Sequence, residues 1–127
     1  MTARQPHPYR GGELVIVIDC ADLDRSARFW SEVLGYTAGH PSGGPYRSLV
    51  PRSGSGIEVL LQRVPEPKTI KNRLHLDLRT PDLAAEVGRL RALGAVRLTG
   101  EPVEEGGLRW HILADPDGNE FCVLEPS

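Results

Sequence analysis

The sequence predicts an α+β fold: two βαβββ modules forming a curved mixed sheet around a cleft, with the helices on the outer face. Three observations predict it. Apolar residues alternate with polar ones in several short runs, the mark of half-buried strands. Two stretches, ELVIVIDCADLDRSARFWSEVLGY at 13–36 and RLHLDLRTPDLAAEVGRLRALGAV at 73–96, share one plan of strand, Asp, helix and Gly. Each helix carries a single apolar stripe, which needs a sheet to cover it. One module could not cover its own sheet, whereas two side by side can curl around a shared cleft.

Bulk properties narrow the class. A chain of 127 residues with a formal net charge of -2 suits one domain with its own core. Hydrophobic residues at 39% and charged residues at 25% are ordinary for a soluble protein. There is no basic excess for nucleic acid and no long apolar run for a membrane. The opening MTARQPHPYRGG is polar and lacks an apolar core, so 1–12 reads as a flexible arm and not a leader. Cys20 and Cys122 lie in apolar strand-like runs and read as buried free thiols of a cytoplasmic protein. The rest, 13–127, reads as a single domain: module one about 13–64, a linker about 65–72 and module two about 73–125.

The elements follow in order. Residues 13–20 form a strand, and Asp22 then suits a helix N-cap, its carboxylate accepting from the free amides of the first turn. Leu23, Ala27, Trp30 and Val33 fall on one helical face, and Gly35 suits the left-handed residue that ends a helix. The glycine-rich loop TAGHPSGGPYR at 37–47 is either a lid over the cleft or a plain surface loop. Strands are expected at 46–51 and 57–63, and RVPEPKTIKN at 63–72 reads as the linker, with Lys68 and Lys71 as solvated charges. NRLHLDLRTPD at 72–82 alternates Leu74, Leu76 and Leu78 with Arg73, His75, Asp77 and Arg79, a strand running into the cap Asp82. Leu83, Val87, Leu90 and Leu93 make the second helical stripe, ended by Gly94. Strands at 96–99, 109–114 and 119–125 complete module two, and DPDG at 115–118 suits a type I turn between antiparallel strands. The offset between modules is 60 residues at the caps, 59 at the helix-ending glycines and 62 from Gly56 to Gly118, a drift that loop insertions explain.

Several side chains point to chemistry. The leucines of 72–79 must face the helix, so His75 and Asp77 face the cleft. Imidazole titrates near neutral pH, which suits proton transfer or hydrogen bonding to a ligand; a histidine simply bonded to a neighbour is the other reading. Trp30 matches Leu90 on the buried stripe and reads as core. Trp110 shares a face with Ile112 and Ala114, opposite Arg109, His111 and Leu113, and the pattern leaves open which face meets the cleft. Gln62 shares a strand face with Glu58 and Leu60, as a polar contact or as plain strand-end solvation. Cys122 reads as an apolar buried thiol. His7 in the arm and His40 in the loop read as solvated.

The runs ADLDRSARFWSEVLGY, NRLHLDLRTPDL and ADPDGNEFCVLEP resemble the vicinal oxygen chelate superfamily, which includes glyoxalase I, fosfomycin-resistance proteins, extradiol dioxygenases and bleomycin-binding proteins; the resemblance spans roughly 13–125, within a glyoxalase-like subgroup. In metal-dependent members it implies ligands seven residues before each cap Asp and four after each turn Gly, which here are Val15, His75, Leu60 and Cys122. Valine and leucine cannot bind metal, and Glu58 and Glu120 stand two residues away, about 6.5 Å along a strand. The expectation is therefore no metal and no other cofactor. The resemblance implies a homodimer that binds a small organic molecule through His75, Asp77, Trp110, Gln62, Glu120 and Cys122. The alternative is a lyase, isomerase or dioxygenase with an atypical site in which His75, Asp77 and Glu120 do acid–base work; a module whose main product is its interface is the third.

Overall fold

The computed structural model describes residues 14–127; the expectations for the arm at 1–12 and for His7 lie outside the described residues. Module one runs β1 (Val15–Cys20), α1 (Leu23–Leu34), β2 (Tyr36–Ala38), β3 (Tyr46–Pro51) and β4 (Glu58–Arg63). Module two runs β5 (Asp77–Arg79), α2 (Leu83–Ala92), β6 (Val96–Arg97), β7 (Val103–Glu105), β8 (Leu108–Ala114) and β9 (Glu120–Pro126). The strands form two sheets, one per module. The first has the order β1-β4-β3-β2 and the second β5-β9-β8-β6, with β7 paired to β8. In each sheet the first strand lies parallel to the last, and the other pairs are antiparallel.

Local chemistry starts and stops the helices as the sequence predicts. The Asp22 carboxylate accepts from the Arg25 amide at 3.0 Å and Asp82 from the Ala85 amide at 3.1 Å. Gly35 takes φ 68°, a left-handed conformation that costs a glycine little, and closes α1. The apolar stripes, with Phe29 added to the first, pack on the helix-facing sides of the sheets through Ile18, Val59, Leu61, Leu113, Phe121 and Val123. No helix of the described residues is long and apolar enough to cross a membrane.

The two modules are locked together through the DPDG turn. Trp30, only 1% exposed, donates from Nε1 to the buried Asp115 at 3.0 Å. Its ring packs edge-on to Phe29 and Phe121 with centroids 5.1 and 5.0 Å away. Burial pushes the Asp115 carboxyl above its ordinary range, against the pull of donors from Asn119, Trp30 and Asp117. Asp117 accepts from the Ala21 amide at 2.8 Å and from Arg25 at 2.9 Å, while the Asn119 side chain donates to the Asp19 carbonyl at 3.0 Å. On the far side, the Arg89 guanidinium donates to the carbonyls of Glu32 and Val33, satisfying the end of α1 from α2.

Four expectations change. The strand expected from residue 72 begins only at Asp77, and Leu74 is 92% exposed instead of packed. The reason is that Asn72 gives its amide proton to the Glu120 carboxylate at 2.8 Å, so the chain joins the ladder only where Cys122 donates to Leu76 O. Lys68 is not a solvated charge: it pairs with Glu120 at 3.0 Å and is mostly covered. The strand expected at 96–99 closes at Arg97, because the Thr99 hydroxyl takes the Ile112 amide. The short edge strands β2 and β7 carry three residues each, too few to show a period.

His111, buried on the core face of β8, is expected to make stability pH-dependent. The Thr99 hydroxyl accepts from Ile112 N at 3.2 Å and lies 2.7 Å from His111 Nδ1. Burial first, then the charge of Arg97, push the His111 pKa down, with Glu101 and Thr99 opposing. A histidine whose folded pKa is depressed contributes stability above its unfolded pKa and loses it as pH falls below about 6.5. The expected result is a denaturation midpoint that drops on acidification through this window, with the His111→Gln variant lacking that component.

Candidate functional site

The site grows from three adjacent strands. Parallel pairing sets Asp77 of β5 beside Cys122 of β9, and antiparallel pairing sets Cys122 beside Ile112 of β8. Two residues along, Arg79, Leu124 and Trp110 stand in a row. Because side chains alternate along a strand, Asp77, Cys122, Leu124, Ile112, Trp110 and Leu108 share one face, and His75, just ahead of β5, lines the same cup. The opposite face carries the buried Phe121, Val123, His111 and Leu113. With Glu105 and Gly106, the first set lines an open cup of about 450 Å³. Its walls are mostly hydrocarbon and indole, with His75, Asp77 and Cys122 at the β5 side and Glu105 at the β7 side.

There, His75 Nδ1 lies 3.3 Å from Asp77 Oδ1, with the two side chains 40% and 49% exposed. Cys122, 8% exposed, sits beside them. One donor atom from each of the three lies within 4.8 Å of the others. Burial, followed by the Asp77 charge, pushes the Cys122 thiol up to about 11. The free thiol is therefore protonated at neutral pH and is no nucleophile.

The structure brings four of the expected site residues into the cup: His75, Asp77, Trp110 and Cys122. It resolves the face of Trp110 in favour of the cup. Gln62 belongs to the other sheet, in register with Asp19 and Tyr46, and its amide lies 3.4 Å from the Tyr46 hydroxyl. Glu120 holds the linker, one oxygen on Lys68 and the other on the Asn72 amide, and these donors, the amide first, keep its carboxyl below the ordinary range. It borders a groove of about 470 Å³ between the modules, which it shares with Val15, Val17 and His75. The loop at 37–47 is no lid for the cup. It lines a separate groove beside the first turn of α1, where Arg47 pairs with Asp24 at 2.8 Å.

The four-ligand metal centre implied by the resemblance does not fit these residues. Val15 and Leu60 offer only hydrocarbon. Glu58 is engaged by the Ser48 hydroxyl at 2.9 Å, and Glu120 by the linker. Sequence reasoning missed Leu108 and Leu124 as cup walls. The period-two rule extends from Trp110 to Leu108, but Leu124 needs the β8–β9 register.

A family model described as a glyoxalase-like domain matches residues 15–124. No protein among the curated sequences matches the chain. Among solved structures, the chain is similar to a glyoxalase/bleomycin resistance protein/dioxygenase family enzyme from Burkholderia phytofirmans PsJN. The TM-score is 0.70 at 17% identity, over 89% of this chain and 97% of that one. It is also similar to TnmS3, an antibiotic binding protein from Streptomyces sp. CB03234, with a TM-score of 0.63 at 24% identity over 91% and 97% of the chains. A third likeness is to a fosfomycin resistance protein from Listeria monocytogenes, complexed with Mn(II) and a dihydroxypropylphosphonic acid. There the TM-score is 0.69 at 16% identity over 86% and 85%.

Proposed function

The chain belongs to the glyoxalase-like domain family of the vicinal oxygen chelate superfamily, and from that premise we propose that it binds a small, largely apolar organic molecule in the cup of module two, without that superfamily's four-ligand metal centre. The observation that carries the reading is the cup itself. Trp110, Ile112, Leu108 and Leu124 form an apolar wall, and the His75–Asp77 pair stands at its edge as a polar handle. Concave apolar walls with a few placed polar groups are the usual make-up of small-molecule sites. The fold-level likeness to an antibiotic binding protein supports the same class of ligand.

The test is a thermal-shift screen of aromatic and antibiotic-like compounds in the presence of a chelator. A true ligand at a hundredfold its Kd stabilises the fold by about 2.7 kcal/mol, and the shift should survive chelation. A panel that produces no saturable shift would sink this reading. The 3.3 Å contact between His75 and Asp77 favours a second reading, an acid–base enzyme with His75 as the proton carrier. It requires turnover with a pH profile that His75→Gln removes.

A further inference from the structure

We propose that the molecule held in the cup is an aromatic acid, and that Arg79 is the residue that selects it. The carboxylate meets the Arg79 guanidinium, and the rings lie over Leu124 against Trp110. The proposal rests on the cup being a binding site, as read above, and adds the charge and the placement of its ligand.

The placement follows from alternation and register. Asp77 and Arg79 fall on one face of β5, while Leu78 between them packs on the core. Pairing then sets Arg79 beside Leu124 of β9, and Leu124 beside Trp110 of β8. Arg79 and Trp110 therefore stand two strand spacings apart, about 9.5 Å, with Leu124 as the floor between them. A second open hollow of about 450 Å³ lies here, lined by Arg79, Pro81, Leu108, Leu124 and Pro126 among others. Leu108 and Leu124 are walls of both hollows, so the second adjoins the cup along β8 and β9.

The charges decide which end of a ligand goes where. Arg79 is exposed and forms no ion pair among the described residues. The carboxylates around it are engaged or distant. Asp77 lies 3.3 Å from His75. Glu125, at the rim of the second hollow, has one oxygen on Arg109 and the other on the Leu83 amide. Glu105 belongs to β7, three strand spacings from Arg79, about 14 Å or more. A guanidinium is always charged and presents a planar fork that matches the two oxygens of a carboxylate. Beside an apolar floor, that fork favours a molecule with one acidic end and a flat hydrocarbon body. A pair of fused rings suits the interval between Arg79 and Trp110.

The experiment titrates the full chain, in chelator, with naphthoate and with its neutral counterpart naphthamide, and reads affinity by calorimetry. Naphthoate is expected to saturate and to bind roughly 10-fold or more tighter, the scale of a charge-assisted pair. The gap should narrow as salt rises, because the pair is exposed. Arg79→Gln changes an exposed side chain and spares the core. It should bring naphthoate down to the affinity of naphthamide and leave naphthamide unchanged. Arg79→Lys keeps the charge without the fork and should fall between. Trp110→Ala should weaken both compounds. Naphthoate that binds no tighter than naphthamide overturns the proposal and leaves the cup reading standing, and so does a preference that survives in Arg79→Gln. If neither compound binds, the proposal falls as well, and the wider screen in chelator then judges the cup on its own.

Discussion

Trp30→Ala is expected to lower stability by about 3–5 kcal/mol, the usual cost of removing a buried aromatic side chain. That would be a large share of the roughly 5–15 kcal/mol by which a domain is stable. Two effects add here. The indole fills the space between α1 and β9, with edge-on contacts to Phe29 and Phe121. Its Nε1 proton also satisfies the buried Asp115 carboxylate. Removing it leaves a cavity and an under-satisfied buried acid at the junction of the modules. Denaturant unfolding measures the loss. Trp30→Phe separates the effects, restoring much of the packing but not the hydrogen bond. If both variants unfold at the wild-type midpoint, the junction is not the keystone described above.

Trp110→Ala should do the reverse, sparing the fold and impairing binding. The ring is half-buried on the cup wall instead of in the core. Aromatic residues at the centre of a binding surface commonly carry about 2 kcal/mol or more, roughly 30-fold in affinity. With two tryptophans in the chain, fluorescence assigns the site directly. A ligand in the cup should change the emission of Trp110 and leave that of the enclosed Trp30 alone. The response should therefore disappear in Trp110→Phe, whose only indole is Trp30. A ligand that keeps its full affinity and signal in both Trp110 variants binds elsewhere, and the inter-module groove beside Val17 and Leu74 becomes the place to look.

Most of the fold was legible because its signals are local. The caps at Asp22 and Asp82, the stripes after them, the DPDG turn and the period-two runs each involve residues a few positions apart. The repeat then indicated two modules. Where the reading failed, a distant partner had overridden the local pattern. The run at 72–76 alternates like a strand, yet the Glu120 carboxylate takes the Asn72 amide and delays the ladder to Asp77. Lys68 looks like linker charge until Glu120 is brought beside it.

The site divides the same way. Alternation alone determined that His75 and Asp77 share a face and that Trp110 shares one with Ile112. The apolar character of Val15 and Leu60, which removes the four-ligand centre, is likewise plain in the chain. Only the tertiary structure decided that these faces coincide, that Cys122 stands beside Asp77, and that Gln62 and Glu120 lie outside the cup. The physical reason is that register between strands is set by the packing of each sheet against its helix and by backbone pairing between segments far apart in the chain. A sequence displays the period of each strand, but its neighbour's phase emerges only when both pack on the same core.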